Sequence, residues 1–238
     1  MGGGAYPDGV GDLLIAIVVA LGIGVLAYGI VSGGRRQRQA RRAVFRTFAE
    51  GAGLTYVATD DGTAQDFAMD MDGIGRFSSP SLGSLVPTDV ASGLIDGHRV
   101  VAFRHVSRFD EGNAREWLVA GVEVPTAIAS RVAVQFLTPR GSADTSYLED
   151  PIAKEHEVAG ARVVLRSPTP DAAGALLQEQ RLEALADAAS RLPFRPELQV
   201  RDRRLAAYPA SRNASLDDVD QLTALIRFAL EAAKIAGG

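Results

Sequence analysis

The chain has no cysteine, three histidines, two lysines and one tryptophan among its 238 residues. Without cysteine there can be no disulfide, no thiolate metal ligand and no cysteine nucleophile. The histidines are too few and too scattered to nominate a metal. His98 and His105 are seven apart on one expected strand, so they point to opposite faces. His156 sits between Glu155 and Glu157, and in a strand it faces away from both. No Gly-x-Ser-x-Gly elbow, His-Glu-x-x-His helix or Walker loop occurs, so no catalytic, cofactor-binding or metal-binding residue is assigned. Positive charge is also short beyond Arg46, where 27 acidic residues face 19 basic ones. That balance argues against nucleic-acid binding, which depends on neutralising phosphates. The 23 arginines against two lysines, with frequent Ala and Gly, point to a GC-rich bacterial genome.

One stretch has no charge at all: the 19 residues from Leu13 to Val31. As a helix it is roughly 28 Å long, close to the ~30 Å hydrocarbon core of a bilayer. The leader before it has no Lys or Arg, and Asp8 and Asp12 make it acidic, so it does not read as a secretory signal. The expected layout is an extracytoplasmic leader at 1–12, a transmembrane helix at 13–32, a basic juxtamembrane helix at 33–52 and an α+β domain at 53–238. Arg35, Arg36, Arg38, Arg41, Arg42 and Arg46 follow the run. Positive residues stay on the cytoplasmic side, which puts the N-terminus outside and the domain inside. From Gln37 to Ala52 the arginines occupy one helical face, with Val44, Phe45, Phe48 and Ala52 on another. Such a face attracts anionic lipid at a bilayer surface. Within the span, Ala16, Ala20, Gly24 and Ala27 form a stripe of small residues, the surface a second transmembrane helix would approach.

Gly51 and Gly53 end the basic helix, and Leu54 to Ala58 reads as a strand. Residues 59–88 read as an acidic loop with Asp60, Asp61, Asp66, Asp70 and Asp72, without the ligand spacing of a calcium hand. Asp96-Gly97 between Val90–Ile95 and His98–Val106 predicts a tight hairpin. Glu116–Val124, with Trp117 as a core aromatic, and Val132–Leu137 are expected as separate strands, ended by Pro125 and Pro139. Glu155–Val158 and Ala161–Arg166 form a pair around Ala159-Gly160. Thr169-Pro170-Asp171 is expected to start a helix reaching about Arg191. Leu198–Val200 and Leu205–Tyr208 form a hairpin-like pair, and Ser215 to Asp218 cap a last helix. Strands followed by helices make this α+β, a mainly antiparallel sheet with two packed C-terminal helices.

Phe45-x-x-Phe48 leading to Gly53-Leu54-x-Tyr56, Gly93-x-x-Asp96-Gly97-x-x-Val100-x-Ala102-Phe103, the Trp117 strand and a late proline-rich turn together resemble bacterial single-span membrane proteins with a cytoplasmic domain of unknown function. That resemblance implies no activity, cofactor or catalytic residue. The expectation is therefore a non-catalytic binding protein, an accessory or assembly subunit of an inner-membrane complex. Its expected partners are the lipid bilayer, including anionic lipid, and other membrane subunits or a second copy. The alternative is a membrane-anchored hydrolase using Asp70 or Asp72 with a histidine under the 59–88 loop.

Overall fold

The computed structural model describes residues 39–70, 87–108, 114–139, 150–158, 160–169, 176, 178–210 and 218–237. The chain divides into two compact units, Met1–Ala43 and Val44–Gly238. In the first, residues 39–43 are helical. The expected span and its small-residue stripe lie outside the described residues. Among the described residues no helix is long and apolar enough to cross a membrane.

The second unit is α+β and antiparallel throughout. It contains β1 (Thr55–Thr59), β2 (Thr88–Ile95), β3 (His98–Arg108), β4 (Ala114–Leu137), β5 (Ile152–Val158), β6 (Ala161–Arg166) and β7 (Pro196–Pro209). Its helices are the 44–52 part of α1 (39–52), α2 (Thr63–Asp70), α3 (Glu179–Ser190) and α4 (Val219–Gly237). The seven-stranded sheet runs β1-β2-β3-β4-β6-β5, with β7 also paired to β4.

Pairing within β4 and β7 defines the middle of the sheet. A straight 14-residue strand would be roughly 45 Å long. Yet the backbone N–H of Ala210 donates to the carbonyl of Arg195 at 2.8 Å, so the two ends of β7 meet. The strand therefore doubles back around Asp202, whose φ is 50°. Ala120–Glu123 of β4 pair with residues 204–207, and Val132–Gln135 pair with residues 197–200. Because both pairings are antiparallel, β4 must reverse as well. It wraps the tip of β7 through two register breaks between Glu123 and Val132, with Ile128 opposite Asp202. Pro125, which has no N–H to give a ladder, lies in the first break. The two strands expected on either side of Pro125 are thus halves of one wrapped element, and β7 keeps the expected hairpin shape.

The Asp96-Gly97 turn closes β2 onto β3 as expected, with φ of 51° and 79° at the two positions and Ile95 opposite His98. Val158 faces Ala161 across the β5–β6 turn, where Gly160 has φ 81°. At the end of α1, Gly53 (φ 67°) donates to the Glu50 carbonyl at 3.3 Å and Leu54 to the Ala49 carbonyl at 2.8 Å. This is the paired closure that a left-handed residue permits at a helix end.

Both sheet faces are covered. One carries Ala102, Ala120, Val122, Val134, Phe136, Leu165, Leu198 and Ala207 against Phe45, Phe48 and Ala49 of α1 and the buried sides of α3 and α4. Phe136 meets Phe228 of α4 edge-on, with centroids 6.0 Å apart. The other carries Val90, Val101, Phe103, Val119, Ala206 and Tyr208 against Ala64 and Phe67 of α2. Adjacent residues such as Ala102 and Phe103 serve opposite faces, the two-residue alternation of a strand. The two C-terminal helices lie together: Arg181 of α3 donates to the carbonyls of Ile235 (3.1 Å) and Ala236 (3.4 Å) at the end of α4. Thr126 supplies a further donor to Gly237 at 3.1 Å.

Two expectations change and a third narrows to one residue. Residues 63–70 of the expected acidic loop are helical, and residues 71–86 lie outside the described set. Of the helix expected from Thr169 to about Arg191, the described part is α3 from Glu179, set off from what precedes it by an extended Gln178 (φ −69°, ψ 132°). Thr169 is instead bonded to Ser167, its N–H donating to Oγ at 3.3 Å and its carbonyl accepting from it at 3.2 Å. The cap of α4 is Asp218, whose Oδ1 accepts the Asp220 N–H at 2.9 Å. Ser215 lies outside the described residues.

Candidate functional site

Of the arginines expected at a membrane surface, Arg41, Arg42 and Arg46 are on α1, and Arg35, Arg36 and Arg38 fall outside the described residues. Arg42 and Arg46 are exposed and Arg41 is half-buried. Phe45, Phe48 and Ala49 are buried, so the apolar face read from the sequence is the one that meets the sheet.

Beneath that face lies a charged cluster the sequence reading missed. Asp89 is only 6% exposed and has φ 51°, a left-handed conformation that aspartate tolerates better than most residues. It lies where the β2–β3 register shifts, between Thr88 and Ala91. Its Oδ1 accepts the Tyr56 hydroxyl at 2.8 Å, and its Oδ2 is 3.5 Å from Nε of Arg104. The Arg104 guanidinium lies 5.0 Å from the Phe45 ring centroid, and that of Arg46 lies 5.5 Å from the Tyr56 ring. Two successive residues of α1 therefore cover the hydroxyl bonded to Asp89 and the guanidinium ion-paired with it. The available signal was an acid and a base on neighbouring strands, but their meeting depends on the bulge.

A second polar group lies on the opposite sheet face. Ala133 is flanked in register by Arg166 of β6 and Gln199 of β7, and Gln135 by Val164 and Glu197. All four polar residues are buried. Gln135 donates to Glu197 at 3.3 Å, Gln199 to the Tyr208 hydroxyl, and Arg166 to the Asp150 carbonyl at 3.0 Å. Asp150 also takes a two-pronged contact from Arg131, at 2.8 and 2.6 Å. Ser130 and Ser167 are in hydroxyl contact at 3.0 Å, and Ser167 donates to the Arg131 carbonyl at 2.9 Å. These bonds orient the side chains, and among the described residues they supply no base to either serine.

The expected acidic loop has a different role where it is described. Gly62, just before α2, has no side chain with which to cap it. Asp60 reaches forward instead, accepting the N–H of Ala64 at 2.9 Å and of Gln65 at 2.6 Å. Asp61 accepts the hydroxyl and N–H of Thr63 at 2.8 and 3.2 Å. The Thr63 hydroxyl, followed by its N–H, holds the Asp61 carboxyl below its ordinary value of 3.8. Asp60 and Asp61 thus cap a helix rather than line a solvated loop. Asp70 ends α2, while Asp72 and the side chain of His105 lie outside the described residues. His156 approaches Glu183 of α3 at 3.7 Å, not its sequence neighbours. Among the described residues, no three histidine or acidic side chains converge as a metal site.

This geometry defines an antiparallel α+β unit, helices packed on its bent sheet and charge buried within it. No family model matches the chain, and no curated protein matches it. Among solved structures, the crystal structure of the mycobacterial trehalose monomycolate transport factor A, TtfA, is similar in fold. The TM-score is 0.55 at 13% identity, over 82% of this chain and 93% of that one.

Proposed function

We propose that the chain is a membrane-anchored, non-catalytic binding protein, an accessory or assembly subunit of an inner-membrane complex. The observation that carries this is the combination of the uncharged Leu13–Val31 run with a folded unit sharing its fold with a protein titled a transport factor. The span holds the N-terminus outside and the α+β domain in the cytoplasm, in keeping with the six arginines that follow it. Arg35, Arg36, Arg38, Arg41, Arg42 and Arg46 meet anionic headgroups. The stripe of Ala16, Ala20, Gly24 and Ala27 packs against the span of another subunit or of a second copy.

Bulk on that stripe tests the reading. Purification in mild detergent followed by mass spectrometry should recover other membrane proteins with the native chain and with Val18→Leu. They should be lost with Ala20→Leu/Gly24→Leu. Recovery of the same partners with the double variant would remove the stripe from the account, and absence of any partner from the native chain would remove the accessory role.

A further inference from the structure

We infer that the 44–52 stretch of α1 is a releasable strap, lying over a charged floor that the sheet holds in place without it. Three observations combine. The floor is built by β1, β2 and β3: Asp89 and Arg104 belong to paired strands, and Tyr56 is fixed by pairing with Ala91. Its backbone is therefore held by strand pairing rather than by the helix. The cover is narrow, with Phe45 over Arg104 and Arg46 over Tyr56, while Phe48 and Ala49 continue the contact into the apolar core. The strap ends at a defined point: Gly53, with φ 67°, closes the helix there.

Energetics give such a strap two states. Closed, it buries two phenyl rings, but it also keeps water from Asp89 and Arg104, whose side chains are 8% and 7% exposed. Buried ions lose hydration that their mutual attraction need not fully restore. Opening returns that hydration and offsets part of the apolar loss, so the strap opens at a smaller cost than an equally apolar helix on an uncharged floor. Opening exposes one acid and one base on the sheet.

Hydrogen exchange on the full chain in mild detergent tests this. The amides of residues 45–52 should exchange through local opening, faster than those of α4 at the same pH. Asp89→Asn/Arg104→Gln keeps a residue suited to positive φ and removes both charges. It should slow exchange of 45–52 severalfold, the hydration that the ions regain on opening outweighing the Arg104–Phe45 contact that is also removed. Phe45→Ala should speed it. Exchange of 45–52 at the rate of α4 would overturn the strap. Unchanged or faster exchange in the neutral pair, with α4 protection intact, would overturn the role of the charges. If that pair does not fold, Arg46→Gln provides the second test: removing its cover from Tyr56 should speed exchange of 45–52, and no change there would overturn the cover.

Discussion

At Gly121 a side chain would collide with α2: a Cβ there would lie 2.5 Å from the Phe67 ring. That ring packs edge-on against Phe103, with centroids 6.1 Å apart, and carries the Arg204 guanidinium at 5.4 Å. Gly121→Ala should therefore destabilise the unit by about 1–3 kcal/mol, the usual cost of overfilling a packed core. Phe67→Leu in the same chain should recover part of the loss. Urea denaturation of the two variants decides it: equal midpoints for native and Gly121→Ala chains would mean the ring yields freely. Gly121 illustrates a limit of sequence reading. A glycine between Ala120 and Val122 looks like a weak point in a strand, and only the folded chain brings Phe67 across from 54 positions away.

Elements were legible where the controlling residues are local. The Asp96-Gly97 turn, the glycine end of α1 and its Phe45/Phe48 face all follow from neighbours in sequence. So does the apolar side of α4, where Leu222, Leu225, Ile226 and Ala229 are buried as their spacing implies. What escaped depends on distant contacts: the reversal of β4 around β7, the Asp89–Arg104 pair, and the buried Gln135, Glu197 and Gln199. The last two alternate with Leu198 and Val200, but alternation alone reads as a solvent face. The α2 helix was missed because its cap comes from Asp60, outside the helix and before a glycine. Asp60→Ala should cost about 1 kcal/mol and loosen α2 selectively, seen as faster amide exchange at Ala64 and Gln65. Asp61 adds a pH dependence. Its carboxyl is depressed in the folded chain, so its contribution is present above 3.8, the ordinary value, and is lost as pH falls through the lower folded value. Thr63→Ala should move the Asp61 titration, followed by carboxyl carbon NMR, back up toward the ordinary value. An unmoved titration would assign the depression elsewhere.

At the scale of the whole molecule, an uncharged run precedes in sequence a folded unit whose described side chains pack and bond within it. The bent sheet has helices against both faces, and its buried polar residues cluster together. The role proposed for it is to hold this shape against a membrane partner. The most direct measurement is the mass of the particle that mild detergent extracts from native membranes. The account predicts a mass above that of the 25.1 kDa chain in its micelle, with other membrane proteins present at a fixed ratio. A chain released by a salt wash without detergent, or extracted alone at its own mass, would contradict it.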